Sequence, residues 1–302
     1  MLSDRPPDLP GVSHRYLEVR GVRLHVAEAG EGEPVVLLHG WPQNWWMWRH
    51  LIGPLAERFH VLCPDLRGLG WSAAPPEGYG KESMADDVLA LLGALGIGRA
   101  RLGGHDWGGW IGFLLCLRAP ERFGRYLALN TGHPFTRASP RRLLSVWRLS
   151  YQAVLASPGL GYELVRRGAE SGLLSRWVRA RRGAWGELER ELYLGRLADP
   201  ERARASVQIY RSFLVHDLPA AVAGRYRRRV ETPILWLHGA RDPALPPSMI
   251  AGYEPYAPNL ELEIVPEAGH FIAEEAPDLV RERALAFFGS TSGGGRWGMF
   301  AH

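Results

Sequence analysis

The amino-acid sequence predicts an α/β fold: a mostly parallel sheet of eight strands with helices on both faces, interrupted once by a helical insertion. Three observations lead there. Strand-like apolar runs alternate with helix-like segments along most of the chain. Residues 34–38 (Pro-Val-Val-Leu-Leu) are apolar without a break, as in a strand covered on both sides. The alternation stops over a long arginine-rich stretch and then resumes. With 302 residues, 46% of them hydrophobic, the chain is long enough to bury a full core.

In chain order, residues 16–19 and 22–26 flank Arg20-Gly21 as a hairpin. Residues 34–38 form the central strand and 59–63 the next. A helix over 83–95, a short strand over 97–102, an apolar helix over 110–117 and a strand over 126–130 follow. The arginine-rich stretch carries helix-like runs at 141–155, 159–170 and 187–197. Strands at 233–237 and 260–265 then resume the pattern, and a helix over 272–288 closes it. The order is β-β-β-α-β-α-β-α-β, insertion, β-α-β-α, which places catalytic groups at the C-terminal ends of the strands. The chain divides into a first core part at 1–135, a helical insertion at 136–229, a second core part at 230–289 and a flexible glycine-rich tail at 290–302. Trp297, Met299 and Phe300 give that tail some apolar surface.

Composition narrows the function classes. The net charge is +4, and the basic residues are arginines with Lys81 the single lysine. Between Arg137 and Arg229 there are 19 arginines against 8 acids, a surplus of +11, so the remainder of the chain carries −7. Without a nucleic-acid-binding motif such charge reads as a solvated face, and no nucleic-acid partner is expected. Two cysteines, Cys63 and Cys116, are too few for a disulfide framework and fit a reducing compartment. No signal peptide and no membrane-length apolar run is present, so a cytoplasmic location and no membrane partner are expected. No phosphate-cradling loop or metal-ligand cluster appears, so no cofactor or metal is expected.

The most informative stretch is Gly103-Gly104-His105-Asp106-Trp107-Gly108-Gly109. Glycines two residues either side of Asp106 fit the spacing of a strand-to-helix nucleophile elbow, with aspartate where serine normally stands. A carboxylate needs no base before it attacks a saturated carbon, and the ester it forms must then be cleaved by water. By itself Asp106 also admits the plainer reading of an N-cap for the helix that follows.

Two further residues sit at strand ends in the order that an elbow enzyme needs. Asp242, in Gly239-Ala240-Arg241-Asp242-Pro243, follows the strand at 233–237; His270, in Gly269-His270-Phe271, lies 28 residues later, after the last strand. Separately, Asp242 is a turn residue and His270 a helix cap. After the central strand, His39-Gly40-Trp41-Pro42 makes a sharp turn that offers the Trp41 backbone N–H beside that of Trp107, the pair of donors an oxyanion hole needs.

These motifs, together with Asp65-Leu66-Arg67-Gly68-Leu69-Gly70-Trp71-Ser72, resemble the α/β-hydrolase superfamily over residues 12–289, and specifically its epoxide hydrolase branch. The resemblance implies an α/β-hydrolase fold in which the insertion is a cap over the active site. It also implies an enzyme that opens an epoxide through an ester on Asp106. Epoxide hydrolases set two tyrosines against the epoxide oxygen, and Tyr151-Gln152 and Tyr210-Arg211 resemble those sites, Tyr210 lying 32 residues before Asp242. A phenol of pKa about 10 can donate its proton to an alkoxide at neutral pH. Tyr162 and Tyr193 compete for the first role. His39, Pro42, Phe135, Trp110, Gln152 and Phe271 are candidate pocket residues, with Trp45, Trp46 and Trp147 as further aromatic lining. The expected partners are a small apolar epoxide and water, in a monomer or homodimer.

Haloalkane dehalogenases share the aspartate nucleophile and use an indole at the position of Trp107, so dehalogenation is the nearest alternative. Against it, Trp41 stands where many of them have a halide-binding asparagine, and Asn130 stands where some carry the catalytic acid. Fluoroacetate dehalogenases resemble the chain at Trp41-Pro42-Gln43-Asn44 but follow the nucleophile with arginines, where Trp107 and Trp110 stand here. A non-catalytic ligand-binding relative is the alternative from another class, and the retained Asp106, Asp242 and His270 argue against it.

Overall fold

A computed structural model of the chain describes residues 5–135, 150–178 and 180–290. Eight strands form one sheet: β1 (Ser13–Val19), β2 (Val22–Ala29), β3 (Glu33–Leu38), β4 (Phe59–Pro64), β5 (Ala100–His105), β6 (Phe123–Leu129), β7 (Ile234–Gly239) and β8 (Leu260–Val265), in the spatial order β1-β2-β4-β3-β5-β6-β7-β8. β1 and β2 are a hairpin turning at Arg20-Gly21, and β2 joins β4 antiparallel; every other pairing is parallel. Val35, Val36, Leu37 and Leu38 are fully buried, which is why β3 could be apolar on both faces.

Helices α1 (Arg49–Ala56), α2 (Lys81–Ala94) and α3 (Trp107–Arg118) connect the first strands. Between β6 and β7 the described residues are helical: α4 (Ser150–Leu155), α5 (Leu160–Glu170), α6 (Leu174–Trp177), α7 (Glu187–Tyr193), α8 (Pro200–Ser212) and α9 (Leu218–Val222). Helix α8 starts cleanly because Asp199 accepts hydrogen bonds from the Glu201 and Arg202 N–H groups and Pro200 needs no donor. It runs into a π-helical turn at Phe213–Asp217. The chain ends in α10 (Ile272–Glu275) and α11 (Pro277–Gly289).

Four expectations about elements change. The elbow strand lies three residues later than expected, at Ala100–His105, because Gly103 packs where a Cβ would meet Leu37 at 2.6 Å and so belongs to the sheet rather than to a turn. The expected helix at 187–197 ends at Tyr193, and a 3-10 turn over Gly195–Ala198 follows. The closing helix breaks before Pro277, which cannot donate to the preceding turn. Between β7 and β8 the described chain has a 3-10 turn at Pro247–Met249 in place of a helix, since Pro243, Pro246, Pro247, Pro255 and Pro258 remove the donors a helix requires. Residues 136–149, with Trp147 and most of the expected helix at 141–155, lie outside the described residues, as does the tail from 291, with Trp297, Met299 and Phe300. No described helix is long and apolar enough to cross a membrane.

Candidate active site

β5 delivers Asp106 to the start of α3 in a backbone conformation that side chains avoid, φ 50° and ψ −117°. The glycines around it are a steric requirement. A Cβ on Gly104 would stand 2.5 Å from the Gly108 carbonyl oxygen, and one on Gly108 would stand 2.3 Å from that of Leu38. The backbone thus crosses itself where β5 turns into α3. Asp106 makes no side-chain cap bond to α3. Its Oδ2 accepts the Trp41 N–H at 3.0 Å, and the Trp107 N–H also favours the anion. Its backbone carbonyl accepts the Thr131 hydroxyl at 2.7 Å.

His270 stands opposite, with Nε2 3.9 Å from Asp106 Oδ1, too far for a direct hydrogen bond. Its Nδ1 donates to Asp242 Oδ2 at 2.8 Å. Asp242 is otherwise saturated: Oδ1 accepts the Ala244 and Leu245 N–H groups at 2.8 and 2.9 Å, and Oδ2 accepts the Asn130 amide at 2.8 Å. The His270 carbonyl accepts His105 Nε2 at 2.8 Å, which fixes the loop carrying the ring.

Burial pushes the Asp106 carboxyl up to about 6, even though His270 and the Trp107 and Trp41 N–H groups favour its anion. Burial opposes the charge on His270, yet Asp242 and then Asp106 prevail and raise it to about 9. Asp242 is likewise buried but is held down to about 2 by His270 and Asn130. His105 is lowered to about 3 by burial and by the neighbouring His270, so it stays neutral. The site therefore holds an ionised Asp106 and Asp242 around a positively charged ring at neutral pH.

Tyr210, near the end of α8, comes down onto this group. Its ring packs edge-on against Trp41 and Trp107, each at 5.4 Å, and against Tyr151 at 6.3 Å. Burial raises the pKa of both phenols, and the Asp106 charge adds to the rise in each, so both keep their protons. Tyr193 is engaged elsewhere, donating to Glu274 at 2.9 Å. Tyr162 lines a cleft of about 310 Å³ with Pro75, Pro158 and Val207.

The other expected pocket residues divide. Trp110 lies edge-on to Phe213 at 5.1 Å, and Phe213 touches Trp107, so the two continue the aromatic wall. Gln152 donates weakly to the Tyr151 hydroxyl at 3.4 Å, and its buried Oε1 has no hydrogen-bond partner among the described residues. Phe271 packs between His270 and Trp185. Pro42 is buried beside Trp41. His39 and Phe135, by contrast, have no surface for a ligand. His39 is fully enclosed, with Nε2 accepting the Leu66 N–H and Nδ1 bonded to the Gly40 carbonyl. Phe135 is fully buried among Phe113, His133 and Tyr256. Trp45 is also fully buried and Trp46 nearly so, which makes them core residues.

Two contributors were given no role in the site from sequence. Asn130 bridges Asp242 and the Gly239 N–H; its place at the end of β6 was the available signal. His105 was hidden inside the elbow motif. Among the described residues, no group of three His, Cys, Asp or Glu is arranged to hold a metal ion.

Comparison with known proteins agrees with this fold. Residues 33–277 match the family model for the alpha/beta hydrolase fold. The chain is 29% identical over 284 residues to the soluble epoxide hydrolase of Corynebacterium sp. (strain C12), covering 92% of this chain and 97% of the relative. It is 28% identical to epoxide hydrolase 4 of Mus musculus, covering 91% and 79%. Among solved structures, epoxide hydrolase VrEH1 from Vigna radiata superposes with a TM-score of 0.79 at 27% identity, covering 92% of this chain and 98% of that one.

Proposed function

Because the chain belongs to the α/β-hydrolase family, in its epoxide hydrolase branch, we propose that it hydrolyses a small apolar epoxide to a vicinal diol. The observation that carries the reading is the pair of protonated phenols, Tyr151 and Tyr210, held beside an ionised Asp106. An epoxide needs both at once. Asp106 attacks one ring carbon as the C–O bond breaks, and the phenols hydrogen-bond the leaving oxygen and supply its proton. The product is a hydroxyalkyl ester on Asp106.

Hydrolysis of that ester falls to His270. Oriented by Asp242, it takes a proton from water, and the hydroxide adds to the ester carbonyl. The Trp41 and Trp107 N–H groups, already aimed at the Asp106 carboxylate, stabilise the tetrahedral oxyanion. Collapse of this intermediate releases the diol and restores the Asp106 carboxylate; the proton that His270 gives up once the ester has formed restores the phenol, and the one it then takes from water leaves it charged as at the start, which closes the cycle. In this reading residues 136–229 form the cap, which brings the phenols to the site and, with Trp107, Trp110 and Phe213, gives the substrate an apolar wall.

Incubation with styrene oxide and, in parallel, with 1-bromobutane tests the assignment. Diol from the first and no bromide from the second is the expected result. Bromide without diol would move the chain to the dehalogenases, and neither product would leave a binding protein.

A further inference from the structure

Lys81, the single lysine of the chain, is in an unfavourable place. It is the first residue of α2, where the helix dipole repels a cation, and its side chain is fully buried. Burying an ammonium costs several kcal/mol unless a close partner offsets it. The ion pair here is loose, with Nζ 3.8 Å from Asp217 Oδ2, because Asp217 is already used in accepting the Lys81 backbone N–H. Helix capping therefore explains Asp217 but not the ammonium, and an apolar side chain would fill the space without the cost.

The contacts of the ammonium point to its use. It donates to the Ile209 carbonyl at 2.8 Å, one residue before Tyr210, and stands 4.5 Å over the ring of Trp107, one residue after Asp106. Ser212, two residues after Tyr210, donates to the Tyr79 carbonyl at 2.7 Å, two residues before Lys81, which makes the joint two-sided. One positive charge thus touches the segment carrying the nucleophile and the segment carrying the phenol. These segments belong to separate stretches of chain, with β6 between them.

We propose that Lys81 is a positioning residue: its ammonium clamps the Ile209 carbonyl of α8 against the Trp107 ring and so sets the Tyr210 phenol relative to Asp106. The proposal rests on the functional reading above, in which Tyr210 assists ring opening. Burial lowers the Lys81 pKa to about 8, opposed by Asp217 and Asp106, so the ammonium is the main form at neutral pH. Because Tyr210 serves ring opening and has no part in ester hydrolysis, the clamp should matter to one half-reaction only.

That asymmetry supplies the test. Lys81→Met keeps the length and apolar stem and removes the charge and the donor. Lys81→Gln retains a donor near the Ile209 carbonyl and guards against loss of fold. Single-turnover reactions with styrene oxide are quenched, and the ester on Asp106 and the diol are measured in each variant and in the Tyr210→Phe background. Lys81→Met should slow ester formation about tenfold to a hundredfold and leave ester hydrolysis within about twofold. Lys81→Gln should lie between it and the unaltered protein, and Lys81→Met should add little once Tyr210 is Phe. Unchanged ester formation, an equal fall in both half-reactions, a loss fully additive with that of Tyr210→Phe, or failure of both variants to fold overturns the proposal. If the unaltered protein makes no diol, the functional reading itself has failed, and that outcome is distinct from all of these.

Discussion

His270 has two carboxylates for neighbours, and this has a consequence for the order of events. Asp242 at 2.8 Å and Asp106 at 3.9 Å both favour its protonated form and raise it to about 9. In that state it cannot act as a base at neutral pH. In the proposed scheme, forming the ester removes the Asp106 charge and with it one reason for His270 to keep its proton, so the base is released only when there is an ester to cleave. The pH dependence should therefore differ between the half-reactions. Ester formation needs ionised Asp106 and should fall about tenfold per unit below pH 6, since the carboxyl titrates at about 6. Ester hydrolysis needs neutral His270 and should rise with pH, with a midpoint below the value of about 9 that holds before reaction. Quenched-flow measurement from pH 5 to 9.5 checks both, and a hydrolysis midpoint at or above 9 would count against the coupling. A companion experiment removes the base. In His270→Gln, intact-protein mass spectrometry after styrene oxide should find Asp106 carrying the substrate mass, with diol release slowed at least about a hundredfold. An unmodified Asp106 in a folded variant would sink the scheme.

At the scale of elements, the short helix α10 does more than follow His270. Its Glu274 is fully buried and accepts from four side chains: Gln43 and Arg49 near the start of α1, Trp185, and Tyr193 of α7. Burial raises this carboxyl to about 7, against those donors, so the bonds offset only part of the cost of burying its charge. Glu274→Ala would leave Arg49 largely buried without its main partner. The expected loss is about 3–5 kcal/mol, read from urea unfolding, and a loss under about 1 kcal/mol would show that Arg49 reaches water instead. None of this was legible in the sequence. Glu274 falls in the expected closing helix with nothing beside it in sequence to mark it, and only the fold brings Gln43, Arg49, Trp185 and Tyr193 to it. Legibility followed locality. The hairpin, β3, β8 and the elbow motif depend on neighbouring residues and were readable within a few positions. Where distant packing decides, reading failed: Gly103 is a strand residue because Leu37 crowds it, His39 is enclosed because Leu66 donates to it, and the role of Asn130 depends on Asp242, 112 positions away. Lys81 was visible as the sole lysine, but nothing local said that Ile209 and Trp107 would face it.

For the whole molecule, the helical segment between β6 and β7 and the sheet beneath it are joined by buried polar contacts distributed around the site. Trp41 Nε1 donates to Ser206 at 2.9 Å, Asn44 to the Leu192 carbonyl at 2.9 Å, Arg196 to the Gly70 carbonyl at 3.1 Å, and Lys81 to Ile209. The Glu274 cluster adds bonds from Trp185 and Tyr193. Trp41, Trp107 and Trp46 are all below a tenth exposed, partly because this helical layer covers them. Separating the layers would expose that aromatic surface and exchange these hydrogen bonds for bonds to water, a net loss of about 0.5–1.5 kcal/mol for each. A hinged, independently stable cap would instead meet the sheet through a small and mainly polar contact. The two layers should therefore unfold together. Calorimetry should give a single transition whose calorimetric and van't Hoff enthalpies agree, and tryptophan fluorescence and far-ultraviolet circular dichroism should share one midpoint. Glu274→Ala, which cuts the joint at one of these contacts, should lower that midpoint without splitting it. Two resolved transitions in the unaltered protein would mean that residues 136–229 fold as a separate unit, and the phenols would then be delivered by a mobile cap and not by a fixed joint.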